Sequence, residues 1–477
     1  MSGATAPAKP GTDAGRPYRI YVLIMLTLVY TFNFLDRQIM GIVAPAVQAD
    51  LGLNDTQLGV LGGIAFAILY TTIGIPVARL ADRYNRVTII SVSLALWSGF
   101  TALCGVAQNF TQLALARVGV GVGEAGGSPP SHSLISDFYP KEKRAGALAV
   151  YALGIPVGVT LAYLAGGWVL QNFDWRMTFL ALGLPGVIFA VIVKLTIKEP
   201  KRGGQELAGA QDAFAGLKVT EPVGLIEKIF RQLTMLLPSR SRDPAFGELA
   251  SLWRAAKHLL GIPSYRAIVI GLTAGSFASY AISNWIVVFF ERSHPDFAKG
   301  DLYFWLGVIN GTAYVLGVFI GGALVDRLAV KNKSAYGWVP VIALALNAPI
   351  FIAAMWVDNA MWSLVLWWPV HLLTGFYLGP CFALAQTLAP VSIRALSTAI
   401  FFFILNMIAL GFGPTFVGIL SDILNSSGLS SEQGLRVALS SVAIAGLISI
   451  GGFWYLAKKL PADWAKATGE AIDGGKA

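Results

Sequence analysis

Two stretches place charges inside otherwise apolar runs. The first is Asn33-Phe34-Leu35-Asp36-Arg37, in a run that begins near Tyr18 and resumes with Ile39-Met40-Gly41-Ile42-Val43. The second is Arg117-Val118-Gly119-Val120-Gly121-Val122-Gly123-Glu124. At membrane depth such a charge costs about 2.5–3.5 kcal/mol on insertion scales, so it is expected to serve a function. Neighbours on a helix diverge by about 100°, so Asp36 and Arg37 need separate partners, from other helices or from a ligand. Arg117 and Glu124 share a face, about 10 Å apart along the axis. The three glycines between them thin the helix and admit a neighbouring backbone.

The chemistry open to these residues is proton exchange and anion binding. A nearby base favours the ionised form of a carboxyl, whereas desolvation favours the neutral form, so a change of partners switches Asp36 or Glu124 between the two. Arg117 and Arg37 would stabilise the ionised form. A planar guanidinium also suits an anionic headgroup. The competing reading is a set of fixed salt bridges that hold helices together.

The elements that must position these charges follow from composition. The 477 residues are 55% hydrophobic and only 13% charged, and the mean hydropathy is +0.65. No ordinary soluble domain has that balance. Apolar runs of about 20 residues, each long enough to cross a bilayer, recur to give about twelve spanning helices in two groups of six. The expected fold is an all-α membrane protein. Its parts are a disordered tail over 1–17, a six-helix bundle over 18–197, a linker over 198–263, a second bundle over 264–457 and a tail over 458–477. The first helices are expected near 18–46, 56–80, 87–107, 110–136, 143–170 and 174–197. The second six are expected near 264–291, 302–325, 336–357, 359–387, 393–424 and 433–457. Residues before Tyr18 lack the apolar core of a signal peptide.

Lys and Arg crowd alternate loops, among them Arg79/Arg83/Arg86, Lys141/Lys143/Arg144, Arg327/Lys331/Lys333 and Lys458/Lys459. The other loops hold mainly acids, such as Asp50, Asp55, Asp174, Asp296 and Asp358. The positive-inside rule then puts both termini in the cytoplasm. This also accounts for the net charge of +9 without a nucleic-acid partner. In the linker, Leu225, Ile226, Ile229, Phe230 and Leu233 recur at helical spacing, as do Leu249, Leu252, Trp253, Leu259 and Leu260. They are expected to form amphipathic helices on the cytoplasmic membrane surface, beside anionic lipids.

Two corresponding loops repeat one pattern. Ala78-Arg79-Leu80-Ala81-Asp82-Arg83-Tyr84-Asn85-Arg86 follows the second helix, and Gly322-Ala323-Leu324-Val325-Asp326-Arg327 ends the eighth. A duplicated six-helix half is the expected origin. Asp82 and Asp326, with Arg83, Arg86 and Arg327, are expected to act as gates. An Asp here can sit at the positive N-terminus of a helix from the other half. Asp82 would engage the eleventh helix near Ser392 to Ala395, and Asp326 the fifth near Lys143.

The first of these loops resembles the Gly-x-Leu-x-Asp-Arg-x-Gly-Arg signature of the major facilitator superfamily, with Ala78 and Asn85 replacing the glycines. Gly154-Ile155-Pro156-Val157-Gly158 is similar to the Gly-Pro-Gly element of its exporters, and serves equally as a close-packing surface. Asn-Phe-Leu-Asp-Arg on helix one, with Gly-x-Gly-Glu-Ala on helix four, resembles the Spinster branch. The resemblance implies that helices one and four line a central cavity, so that Asp36, Arg37, Arg117 and Glu124 meet in one cluster. It also implies an amphipathic lipid or other anion as substrate, in a bacterial inner membrane. The duplicated gate loops and asymmetric charge cluster suit alternating access, and the buried carboxyls suit proton coupling. A small organic anion or drug-like compound is the alternative substrate. Asp36, Glu124 and Arg117 are assigned to the proton and charge switch, and Arg37 and Asn33 to the substrate's head. In the more aromatic second half, Asn284, Tyr314 and Tyr377 are assigned to the cavity wall.

Other chemistry is disfavoured. There is no Gly-x-x-x-x-Gly-Lys-Ser/Thr loop for ATP. Ser128, Ser131 and Ser133 near His132 lack an orienting partner for nucleophilic catalysis. Cys104 and Cys381 read as small hydrophobes. His132 and His371 stand apart from metal-ligand spacing. An enzyme, a metal and a cofactor are therefore not expected, and a monomer is.

Overall fold

The computed structural model describes residues 15–200, 256–389 and 394–468. The described residues contain helices and no strand. The helices are named here α1 (Arg16–Leu51), α2 (55–83), α3 (Arg86–Cys104), α4 (110–138), α5 (141–172) and α6 (Trp175–Thr196). After the linker come α7 (Pro263–Ser293), α8 (Lys299–Ala329), α9 (Ala335–Trp356), α10 (360–387), α11 (394–426) and α12 (Ser431–Thr468). Ten of these contain a stretch long and apolar enough to cross a membrane. The expected amphipathic helices of the linker fall largely on residues 201–255, outside the described residues. Residues 256–261 are helical, and Leu259 is buried in a core cluster with Tyr265, Leu456 and Leu460.

Local sequence sets the ends. At the end of the bundle away from the chain termini, called the distal end below, Asn54, Asn109, Asp174, Asn359 and Ser430 cap α2, α4, α6, α10 and α12. Each side-chain oxygen accepts from a backbone N–H that the helix leaves unpaired. α1 stops at Gly52, whose φ of 61° lies in the left-handed region that glycine adopts without penalty. Hydropathy placed the last helix's end near 457, because Lys458 and Lys459 follow. α12 instead continues to Thr468. Its extension is anchored by Asp463 Oδ2, which accepts from the Ser264 amide at 3.0 Å and the Ser264 hydroxyl at 2.7 Å.

Internal duplication is visible in where helices break. α2 is interrupted at Gly63 and its counterpart α8 by a π turn over Asn310–Tyr314. α4 is interrupted at 125–127 and α10 by a 3-10 turn over Gly375–Tyr377. α5 and α11 carry π turns over Ala162–Gly166 and Asn406–Phe412. Irregular turns inside membrane helices free backbone groups and concentrate at functional places. Within the first half α3 packs on α6 and α4, and α1 on α5; in the second, α7 and α9 pack on α12. The halves meet along α2–α11, α5–α8 and α1–α7.

Glycines make the distal part of this seam close. A Cβ on Gly59 would lie 2.6 Å from the Pro414 carbonyl oxygen, and one on Gly418 would lie 2.2 Å from that of Asp55. Gly154 and Gly158 bring α5 onto α1, against the carbonyl oxygens of Thr27 and Thr31. This is the close-packing use of the Gly-Pro-Gly element.

Candidate functional site

The four charges converge at the centre of the first half. Asp36, Arg117 and Glu124 are 0–2% exposed, and the Arg37 side chain is 13% exposed. Arg37 Nε donates to Glu124 Oε2 at 2.6 Å. Its guanidinium also lies 4.5 Å from the Tyr70 ring centre and 5.1 Å from those of Phe34 and Phe66. Rings at such distances attract a cation through their negative faces. Arg37 is thus held by a carboxylate and clasped by aromatic rings of α1 and α2.

Arg117 takes a different partner. Its Nε donates to the Leu61 carbonyl at 3.3 Å, in the turn where α2 breaks, and its guanidinium lies 5.2 Å from the Phe66 ring centre. Phe66 therefore stands beside both arginines. Asp36, one residue before Arg37, points the other way, as adjacent positions on a helix must. Thr101 and Trp97 of α3 and Arg117 and Glu124 of α4 surround it, yet neither of its oxygens has a hydrogen-bond partner. Asn33 is buried in the same layer near Glu124. The glycines of α4 allow this convergence. Added Cβ atoms would strike the Phe100 ring at Gly119, the Phe66 carbonyl at Gly121 and the Trp97 backbone at Gly123.

Hydroxyls not singled out in the sequence extend the site. Tyr30, Tyr70 and Tyr280 are half-buried around Arg37, and Tyr314, already expected at the cavity wall, continues the group from the second half. Gln38 bridges the halves, donating to the Tyr163 hydroxyl at 3.0 Å while accepting from Ser283 Oγ at 2.9 Å. Asn310 donates to the Pro156 carbonyl at 3.3 Å. Their only sequence signal is a single polar residue in an apolar span.

The other two expected wall residues are packed beside this group, Tyr377 near Tyr314 and Asn284 near Tyr280. Tyr377 is 2% exposed, packed against Gly275 and the Phe453 ring. Asn284 sits in the seam, its Oδ1 against Gly62 and its Nδ2 donating to the Tyr280 carbonyl at 3.2 Å. His371 is satisfied by the Trp367 carbonyl at 3.1 Å.

Of the expected gate residues, Arg86 is buried and finds its partners in its own half. Nε donates to Glu199 at 2.6 Å, and Nη1 donates to Asp137 at 2.6 Å and to Ser133 at 2.7 Å. Asp326 and Arg327 are exposed. The Asp82 side chain and Ser392 lie outside the described residues, and Arg83 follows Asp82 at the last turn of α2.

A charged network that the sequence did not single out ties the two halves together at the distal end. Arg292 of α7 grips Asp55 of α2 with two nitrogens, at 2.6 and 2.9 Å. Gln48 and Ser421 each donate to the same carboxylate at 2.6 Å. Asp422 of α11 accepts from the amides of Asp55 and Thr56 at 3.1 and 2.7 Å. The available signal was Arg292 itself, one of few bases on a side that holds mainly acids.

A fold of two duplicated bundles around a buried charge cluster is that of a transporter, and comparison with known proteins agrees. The family model described as Major Facilitator Superfamily matches residues 26–414, and the chain belongs to that family. It resembles the Spinster branch. A crystal structure of a bacterial homologue of the human lysosomal transporter Spinster, inward-facing and unoccupied, superposes with a TM-score of 0.77 at 26% identity, covering 94% of this chain and 99% of that one. An MFS-type efflux pump of Mycolicibacterium smegmatis is 30% identical over 93% of this chain and 94% of its own. The probable galactarate/D-glucarate transporter of Bacillus subtilis is 26% identical over 92% of each.

Proposed function

We propose that this protein is a proton-coupled secondary active transporter that moves an amphipathic, lipid-like anion by alternating access. The observation that carries the reading is the Arg37–Glu124 pair, 2.6 Å long, beside a buried and unpartnered Asp36. An anionic head that takes Arg37 must displace Glu124. A carboxylate that loses its base in a desolvated site favours its neutral form, so substrate entry at Arg37 favours proton uptake by Glu124. Arg37 binds the head, Asp36 and Glu124 exchange the proton, and Arg117 balances their charge. Tyr30, Tyr70, Tyr280 and Tyr314 offer hydroxyls and ring faces to the rest of the substrate.

The basic loops support a cytoplasmic position for both termini in a bacterial inner membrane. The distal end is then the outer one. Its sealed Asp55–Arg292 gate, with the likeness to an inward-facing Spinster homologue, supports an inward-facing arrangement. We read the working unit as a monomer. A small organic anion is the second reading, favoured by the likeness to the probable galactarate/D-glucarate transporter.

Reconstitution into vesicles with an imposed pH gradient tests this. Proton movement driven by a lysophospholipid, and lost in Asp36→Asn, is the expected result. Drive by short dicarboxylates alone would replace the lipid reading with the second one. Proton-driven transport unchanged in Asp36→Asn would overturn the proton role of Asp36.

A further inference from the structure

Asp36 and Arg37 face separate surroundings. Arg37 is partly accessible among the half-buried tyrosines, whereas Asp36 is wholly buried against α3 and α4. From α3 it is faced by the Trp97 indole and the Thr101 hydroxyl, and from α4 by Arg117 and Glu124. The Cys104 thiol lies near both Asp36 and Arg117.

Three of these neighbours hold donors with no partner, each in a fully or almost fully buried residue. They are Trp97 Nε1, the Thr101 hydroxyl and Arg117 Nη1. Buried polar groups are nearly always hydrogen-bonded, so such a cluster points to a use outside this arrangement. Thr101 makes the point sharply. Thr27, Thr31, Ser91, Ser131, Thr178 and Thr374 all donate to the carbonyl four residues before them. Thr101, whose corresponding carbonyl belongs to Trp97, does not. Trp97 and Thr101 are themselves four apart and so lie on one face of α3, the face turned to Asp36. Gly123 fixes that face, since a Cβ there would meet the Trp97 backbone nitrogen at 2.5 Å.

We infer that Trp97 and Thr101 are positioning residues for Asp36, donating to its carboxylate when it is ionised and releasing it when it is protonated. The inference rests on the reading of Asp36 as a proton site. It adds that the proton of Asp36 is handled on a different face of α1 from the one that presents Arg37. Donors that engage only the ionised carboxyl stabilise that form selectively, and removing either one raises the proton affinity of Asp36 about tenfold, one pH unit.

Infrared difference spectroscopy on the full chain in phospholipid vesicles, titrated in pH without substrate, tests this. The carboxyl band lost in Asp36→Asn identifies the group. Thr101→Val keeps the shape but removes the hydroxyl, Trp97→Phe removes the N–H, and Thr101→Ser restores the donor. The expected result is an alkaline shift of the band's midpoint by about one unit in Thr101→Val and in Trp97→Phe, with Thr101→Ser returning it. A band that titrates but keeps its midpoint in both variants overturns the inference and leaves the proton-site reading standing. A chain in which Asp36→Asn removes no titrating band overturns both. Circular dichroism on each variant confirms the fold, and where one variant fails to fold the other decides.

Discussion

Arg292 and Asp55 lie 237 positions apart in sequence and form a two-pronged ion pair at 2.6 and 2.9 Å that ties α7 to α2 across the distal end. Asp55 is 3% exposed and accepts from Gln48 and Ser421 as well. Removing one partner of a buried pair costs about 3–5 kcal/mol, because the other charge is left uncompensated. Arg292→Gln is therefore expected to open this end. Spin labels at Gln108→Cys and Asp296→Cys, exposed on the distal loops of the two halves, should show a new long-distance population in double electron–electron resonance. An unchanged distribution would deny the pair its gating role.

The Arg37–Glu124 pair predicts non-additivity. Glu124→Ala strands a guanidinium among rings and Arg37→Ala strands a carboxylate, each at about 3–5 kcal/mol. The double substitution strands neither charge. Denaturation in detergent should find it less damaging than the sum of the singles; simple additivity would mean that the pair is not coupled.

Gly123→Ala brings a Cβ against the Trp97 backbone, which cannot yield as a flexible side chain does. The expected loss is about 1–3 kcal/mol, the usual range for overpacking. Gly99→Ala, on the neighbouring helix with open space around it, is the control and should melt like the parent.

The extension of α12 beyond its apolar span predicts a further loss. Asp463 caps α7 through Ser264, and N-cap interactions contribute about 0.5–2 kcal/mol. Asp463→Ala should lower thermal stability by that order, and Ser264→Ala in the same background should add little. Full additivity of the two would separate them.

His294, just beyond α7, gives a pH signature. Burial and the nearby Arg436 guanidinium hold its pKa below the ordinary 6.5. The unfolded chain then binds this proton more readily than the folded one. The contribution to stability is complete above pH 6.5 and falls away as the pH drops towards the lowered folded-state value. His294→Gln should flatten the stability profile on the acid side of 6.5, and a profile of unaltered slope would remove the histidine from the account.

The helices were legible because bilayer thickness imposes the length of their apolar runs. The charge cluster was legible because Asp36, Arg37, Arg117 and Glu124 are costly where they stand. Their pairing was not, since it depends on which way α1 is rotated. The tyrosines around Arg37 were missed because an apolar span tolerates tyrosine for several reasons. The principle of an acid from one half capping a helix of the other was read for Asp82, whose side chain falls outside the described residues. It is carried at the opposite end by Asp422, which offers no local pattern and depends wholly on tertiary packing. α12 outran its hydropathy because Asp463 and Trp464 find partners in α7 and α9.

That cap on α2 has a mechanical result. The first amides of the helix, on Asp55 and Thr56, are satisfied by a carboxylate belonging to the other half. When the halves part, these amides lose their acceptor and the opening turn of α2 is left to fray. The distal seal is thus also a folding step: the end of the helix is finished only when the two bundles touch.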